Sequence, residues 1–209
     1  MQQIIDIETW IRKDHFRFFT QFEEPFFGVT ITMDFTKAYE NAKKNNKSLF
    51  LHYLYRALKA ANQVENFRYR IVDNQVVLFD VINASPTINR ENGTFGFSYF
   101  DFDEDEQVFI EKAKQEIEKV QNETSLIPAV SGENIIHFSS LPWLNFTSLS
   151  HARSFSFPDS APKISFGKIY DEGDSKKMSV SIHVHHALMD GLHVSQFVDA
   201  FQKLLDEEV

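Results

Sequence analysis

The sequence predicts an α/β fold of the two-layer α+β sandwich type, a mixed β-sheet with helices packed on one face. Three observations predict it. Helical and strand-like patterns are interspersed along the chain without regular βαβ alternation. The clearest strand patterns alternate apolar and polar residues, whereas the helical ones repeat every three to four. The 209 residues contain no linker-like stretch, internal repeat or low-complexity tract. They therefore fit one domain, residues 1–209, burying roughly 70% of its unfolded surface.

Taken in order, Thr9 is placed to cap a first helix over 10–19, in which Trp10, Phe16 and Phe19 recur at spacings suited to one buried stripe. Arg12 lies near its start. Phe27, Val29, Ile31 and Met33 alternate as a strand, and two helical stretches follow at 36–44 and 49–64, the second longer and more apolar. Segments 68–71 and 75–79 flank Val72-Asp73-Asn74, a hairpin turn by its Asp and Asn. A strand is expected over 94–100. Between 104 and 122, Val108, Ile110, Ala113, Ile117 and Val120 lie among Glu and Lys as a helix with one solvent-facing side. A short strand over 135–139 ends at Leu141-Pro142-Trp143. Segments 163–170 and 178–184 pair through the turn at Glu172-Gly173-Asp174, and a last helix carries Val194, Phe197, Val198, Phe201, Leu204 and Leu205 on one face.

The formal net charge of −9 argues against a nucleic-acid surface, which needs clustered Lys and Arg. With no Cys there is no disulfide framework, thiolate metal site or cysteine nucleophile. The N-terminal MQQIIDIETW lacks the basic start and apolar core of a signal peptide, and no apolar run is long enough for a membrane span. These features point to a cytoplasmic protein with no membrane partner. The 22 Phe make an aromatic-heavy core or pocket, with packing the plainer use for most of them.

The most informative segment is His185-His186-Ala187-Leu188-Met189-Asp190-Gly191, where a strand gives way to a helix. A neutral imidazole fixed at the rim of a sheet is a candidate general base for a substrate hydroxyl or thiol. Consecutive strand residues point to opposite faces, so the two His cannot easily share a metal ion, and none is expected. A His near a strand end is often only hydrogen-bonded core. Against that plain reading stands the combination of His pair, Asp and Gly at fixed spacing.

This motif resembles the His-His-x-x-x-Asp-Gly signature of the bacterial chloramphenicol acetyltransferases, and the resemblance covers nearly the whole chain. It includes Trp10-Ile11-Arg12-Lys13-Asp14-His15-Phe16, the block Ser139-Ser140-Leu141-Pro142-Trp143-Leu144-Asn145-Phe146, and Leu192-His193-Val194 after the motif. The resemblance implies a chloramphenicol acetyltransferase-like fold and a homotrimer with sites at subunit boundaries. It implies direct transfer of acetyl from acetyl-CoA, as co-substrate, to a hydroxyl of chloramphenicol in a ternary complex without an acyl-enzyme. His186 matches the catalytic base, and Asp190 matches the motif Asp that pairs with Arg12. Ser139 matches the oxyanion donor, and Ser165 stands where many relatives have a Thr that holds a water. Trp143 and Lys168 match the coenzyme channel; Lys43, Lys44 and Lys47 lie near another coenzyme contact but equally fit a solvated helix end. Phe19 and Phe95 match aromatic positions of the acceptor pocket.

Departures from the family pattern bear on the acceptor. His151 stands where a Leu touches the antibiotic, Ile127 replaces a pocket Phe, and His137 replaces an Asn two residues before Ser139. They make the pocket more polar on one side and roomier on another. Met189, where many relatives carry Cys, alters packing only. Two other readings stay open: the same mechanism on a different hydroxyl-bearing small molecule, or a non-catalytic trimer that binds a small ligand.

Overall fold

In the computed structural model of this chain, residues 2–127, 132–155 and 158–207 are described. Nine strands and five α-helices are found among them: β1 (Gln2–Ile4), α1 (Lys13–Phe19), β2 (Phe26–Asp34), α2 (Thr36–Lys44), α3 (Leu49–Gln63), β3 (Tyr69–Val72), β4 (Gln75–Phe79), β5 (Asn83–Asn89), β6 (Phe95–Phe97), α4 (Glu106–Asn122), β7 (Ile135–Ser140), β8 (Lys163–Glu172), β9 (Ser175–His185) and α5 (Gly191–Asp206). The main sheet runs β2-β9-β8-β7-β5-β6, with β5-β7 and β7-β8 parallel and the other pairs antiparallel. A small sheet, β1-β4-β3, stands apart from it. This is the expected mixed sheet with helices.

Strand alternation divides the two faces of the main sheet. Met178, Val180, Ile182 and Val184 of β9 join Ile164 and Phe166 of β8 and Ile136 and Phe138 of β7 in the core beneath the helices. Intervening residues put Ser179, Ser181, His183 and His185, then Lys163 and Ser165, then His137 and Ser139, on the opposite face. The apolar half secures the fold; the polar half is left for the site. α3 is buried nearly all round, from Leu51 to Ala61, because it lies between the sheet and its neighbouring helices. Its first turn is capped by Ser48, whose Oγ accepts from the Leu51 N–H at 3.4 Å. α5 buries Val194, Phe197, Phe201, Leu204 and Leu205, five of the six residues expected on its inner face.

Several local expectations need correction. The first helix starts at Lys13, and Thr9 does not cap it: its hydroxyl donates to the Asp6 carboxylate at 3.1 Å, closing a preceding turn. The N-cap position belongs to Arg12, whose side chain is committed elsewhere. The strand expected over 94–100 shrinks to β6, with Phe100 adding a lone bridge to Ala84. β5 was not expected at all, since Pro86 and its polar neighbours hide it. Pro86 has no N–H to donate, but its carbonyl accepts from the Ser98 N–H at 3.0 Å. α4 has a solvent face as expected, yet its deepest side chains are Phe109, Ala113 and Val120. The hairpin turns hold: Asp73 and Asn74 both take positive φ, as does Gly173 between β8 and β9.

Candidate active site

At the end of β9 the chain turns, and His185 and His186 separate as strand geometry requires. His185 stays on the polar face of the sheet, 5% exposed, where its Nδ1 accepts from the Ala187 N–H at 3.3 Å. Burial, reinforced by the nearby Arg153 charge, pushes this imidazole down to about 4. His186 turns the other way. Its ring lies flat on Phe19, centroids 3.9 Å apart and planes 9° apart, and tilts against Phe27 at 4.5 Å. Nδ1 is buried without a partner, so Nε2 is the nitrogen a ligand can reach. Phe27 was read only as a strand residue; its part in holding the imidazole appears from the register with Val184, next to the motif.

Arg12 joins this turn to the first helix. Its Nη1 donates to Asp190 Oδ2 at 2.8 Å and its Nη2 to the His186 carbonyl at 3.3 Å. Asp190 also caps α5, accepting from the Leu192 N–H at 3.0 Å, while His193 Nδ1 accepts the Asp190 N–H at 3.1 Å. Burial pushes the Asp190 carboxyl up, but the Arg12 hydrogen bond and the neighbouring positive charge prevail and hold it below the usual range. The expected Arg12–Asp190 pair is therefore present, and it also fixes the backbone of His186.

Ser139 lies elsewhere on the sheet. The register aligns it with Ser165 on β8, and Ser165 with Ser181 on β9, five residues before His186. At about 3.3 Å per residue along a strand and about 4.8 Å between strands, Ser139 and His186 of one chain lie roughly 20 Å apart. One copy of the chain does not bring them together. Ser139 instead opens on a cavity of about 350 Å³ that also meets Phe95, Phe97, His137, His151 and Lys163. Ser165 is fully buried beside it, with its Oγ unpartnered. Ser140 points to the opposite face, hydrogen-bonded to the Tyr53 hydroxyl at 2.8 Å, and borders a second cavity of about 300 Å³ with Phe50, Ile117, Gln121 and Pro142. Burial, against the Ser140 hydrogen bond, raises the Tyr53 phenol to about 12, so it stays neutral.

Trp143, 66% exposed, follows Pro142 at the rim of this second cavity. Lys168 is exposed as well, and its backbone N–H donates to the Leu144 carbonyl, next to Trp143, at 2.8 Å. Ile127 is 67% exposed, and it is not among the described residues that line the Ser139 cavity of one chain. Phe19 is likewise remote from Phe95 within one chain, since it stacks on His186. Lys163, which lines the cavity beside His137 and is paired with Asp159, is a site residue that sequence reasoning missed. Among the described residues no group of three or more His, Asp or Glu is arranged to hold a metal ion, and no helix is long and apolar enough to cross a membrane.

A family model described as chloramphenicol acetyltransferase matches residues 1–202. The chain belongs to the chloramphenicol acetyltransferase family. It is thus an enzyme of the acetyltransferase type. The chloramphenicol acetyltransferase of Proteus mirabilis is 29% identical over 207 residues, 98% of this chain and 94% of that protein. Chloramphenicol acetyltransferase 3 of Escherichia coli is 28% identical over 207 residues, 98% of this chain and 97% of that one. A solved chloramphenicol acetyltransferase structure superposes with a TM-score of 0.91 at 33% identity, covering 98% of this chain and all of that one. The fold extends further: the truncated catalytic core of a 2-oxoacid dehydrogenase complex from Thermoplasma acidophilum gives a TM-score of 0.64 at 15% identity, covering 99% of each chain.

Proposed function

We propose that residues 1–209 form a single acyltransferase domain that moves acetyl from acetyl-CoA to a hydroxyl of chloramphenicol or a closely related alcohol. The active site joins two copies of the chain, His186 from one and Ser139 from the next, in a homotrimer. The observation that carries this reading is the separation of roughly 20 Å set by the sheet register. Each end holds half of one site: the stacked imidazole that matches the family base, and the pocket with the hydroxyl that matches the oxyanion donor. Phe18 and Phe22, exposed and in ring contact with the Phe19 that stacks on His186, are apolar surface that a second copy would cover.

His186 takes the proton of the acceptor hydroxyl, and the freed oxygen pair attacks the thioester carbonyl carbon. Negative charge moves to the carbonyl oxygen, where the Ser139 hydroxyl donates to it. Collapse expels the coenzyme thiolate, which recovers the proton from the imidazolium, leaving an ester and a free thiol. The two cavities on either side of β7 suit a ternary complex. The acceptor occupies the Ser139 side with Phe95, Ser165 and His151, and the thioester enters from the Ser140 side past Trp143 and Lys168.

Mixed oligomers test the reading. His186→Ala and Ser139→Ala chains, each inactive alone, are dissociated together and reassembled. Random mixing regenerates roughly a quarter of the sites with both groups intact, because each boundary needs one chain of each kind in one order. Thiol release near that level is expected; none above the separate variants would refute a shared site.

A further inference from the structure

β6 is the shortest strand of the main sheet. It spans three residues, lies at an edge and pairs only with β5, through Asn89 with Phe95, Ile88 with Gly96 and Thr87 with Phe97. Yet it carries the aromatic wall in front of Ser139: Phe95 and Phe97 line that cavity and meet edge to face with centroids 5.6 Å apart. So short an edge ladder fixes side chains poorly unless something outside it holds the strand. One outside bond comes from the segment after α4, whose Leu126 carbonyl accepts the Phe97 N–H at 2.8 Å.

The rest of the brace is one side chain. Arg90 follows β5, and its backbone N–H closes the hairpin on the Thr94 carbonyl at 2.9 Å. Its buried guanidinium then joins three segments: Nε donates to the Val120 carbonyl in the last turn of α4 at 2.8 Å, Nη2 to the Ser125 carbonyl at 2.6 Å and Nη1 to the Phe95 carbonyl at 3.2 Å. Among the described residues no carboxylate pairs with it. A cation is favoured at a helix C-terminus, whose last carbonyls lack partners within the helix. Gly96 leaves the guanidinium its room. Strand alternation turns its Cα away from the two rings and toward α4, and a Cβ there would stand 2.5 Å from Arg90 Nη2 and 2.8 Å from Val120 Cγ1. A side chain at 96 must displace the guanidinium or lift β6 from it.

We infer that Arg90 is a positioning residue for the acceptor: bonding β6 from the helix side, in space that Gly96 keeps open, it holds Phe95 and Phe97 in place as one wall of the acceptor site. The inference rests on the Ser139 cavity being that site, as proposed above. None of the Arg90 bonds goes to His186 or Ser139. The brace therefore acts on binding. A wall that grips the ground state and the transition state alike changes KM and leaves kcat alone.

The test uses the full chain with Arg90→Met, Arg90→Lys, Gly96→Ala and the Arg90→Met/Gly96→Ala double substitution. Chloramphenicol binding is measured by calorimetry, turnover by thiol release with each substrate varied, and amide exchange of residues 94–98 by mass spectrometry. Arg90→Met keeps most of the side-chain length and removes every donor. It should speed exchange of 94–98 and raise Kd and KM for chloramphenicol on the order of tenfold, with kcat and the KM for acetyl-CoA within about twofold of wild type. Gly96→Ala should do the same with Arg90 present. The double variant should be no worse than Arg90→Met, because the group that the new Cβ displaces is already gone. Arg90→Lys, with one amine in place of the fork, should fall between wild type and Arg90→Met. Chloramphenicol Kd unmoved in Arg90→Met or Gly96→Ala, a kcat that drops as far as KM rises, additive penalties in the double variant, or no binding to wild type would overturn the inference. If Arg90→Met does not fold, Gly96→Ala and Arg90→Lys still decide it. Wild-type binding without thiol release would remove the acetyl-transfer reading while the Kd ratios still judge this one; thiol release with Kd unmoved by the variants would do the reverse.

Discussion

The base end of the sheet and the pocket end hold their functional groups by different means. His186 sits in a turn, and its ring is oriented by side chains: the flat contact with Phe19, the tilted one with Phe27, and the Arg12 guanidinium spanning Asp190 and the His186 carbonyl. Ser139 is placed by backbone, between β5 and β8 in the interior of a six-stranded sheet. A side-chain clamp transmits damage, because each member leans on another. A strand position tolerates loss of a hydroxyl without moving.

The largest expected effects break each end directly. His186→Ala should lower turnover by about 10²–10⁴-fold, the usual contribution of a positioned general base. Ser139→Ala should lower kcat by about 10²–10³-fold, with less change in KM, because its hydrogen bond strengthens as charge develops. Circular-dichroism melts sharpen the contrast: Ser139→Ala should melt with wild type. A destabilised Ser139→Ala would show that the pocket end is clamped by side chains too.

Arg12 tests the clamp. Arg12→Leu leaves Asp190 without its guanidinium, and urea unfolding should report a loss of about 1–3 kcal/mol, discounted from a fully buried pair because the Asp190 side chain keeps 32% exposure. Turnover should fall as well, since the His186 carbonyl loses its anchor. Asp190→Asn in the same chain keeps an N-cap acceptor and removes the stranded charge, so it should restore stability before activity. Because the Asp190 carboxyl is held below its ordinary value of 3.8, the pair's contribution is constant through neutral pH and disappears only as pH falls below that value.

The pocket end should respond to pH in a different window. His137 and His151 are each pushed to about 4, chiefly by burial, whereas an unfolded imidazole titrates near 6.5. The unfolded chain therefore binds protons first. Stability is full above about 6.5 and erodes as pH falls toward about 4. Thermal melts should drop between pH 7.5 and 5, and His137→Asn should make that slope shallower. A flat profile would mean that these imidazoles are open to water.

Much of the fold was legible because its strongest elements are periodic within themselves. β9 alternates, α3 and α5 repeat at helical spacing, and the turn residues Asp73, Asn74 and Gly173 announce their hairpins. β5 was not legible, for a reason tied to function. One face carries Asn83, Ser85 and Thr87, and the last two line the cavity in front of Ser139, so the strand lacks the apolar density that marks its neighbours. The motif at 185–191 pointed to the proposed base by resemblance and to the Arg12–Asp190 pair, which is present. The contacts of His186 with Phe27, and of Lys163 with Asp159 beside His137, depend on strand register and loop path, which local pattern does not encode. Thr9 failed as a cap because a nearer carboxylate, Asp6, takes its hydroxyl.

The smallest effect belongs to the coenzyme rim, where both ends of the comparison give way to solvent. Lys168 and Trp143 are exposed, so neither is held as His186 or Ser139 is. An exposed cation gains little from an ion contact and loses most of that in salt. Lys168→Ala should raise KM for acetyl-CoA by about two- to fivefold at low ionic strength, and the difference from wild type should shrink near about 0.5 M salt. Trp143→Ala should raise the same KM, but its penalty should persist in salt, because burying an apolar ring does not depend on counterions. Measuring the two variants side by side at both salt concentrations separates charge from contact at one rim. If salt weakened both equally, the indole would be serving the cation rather than the coenzyme.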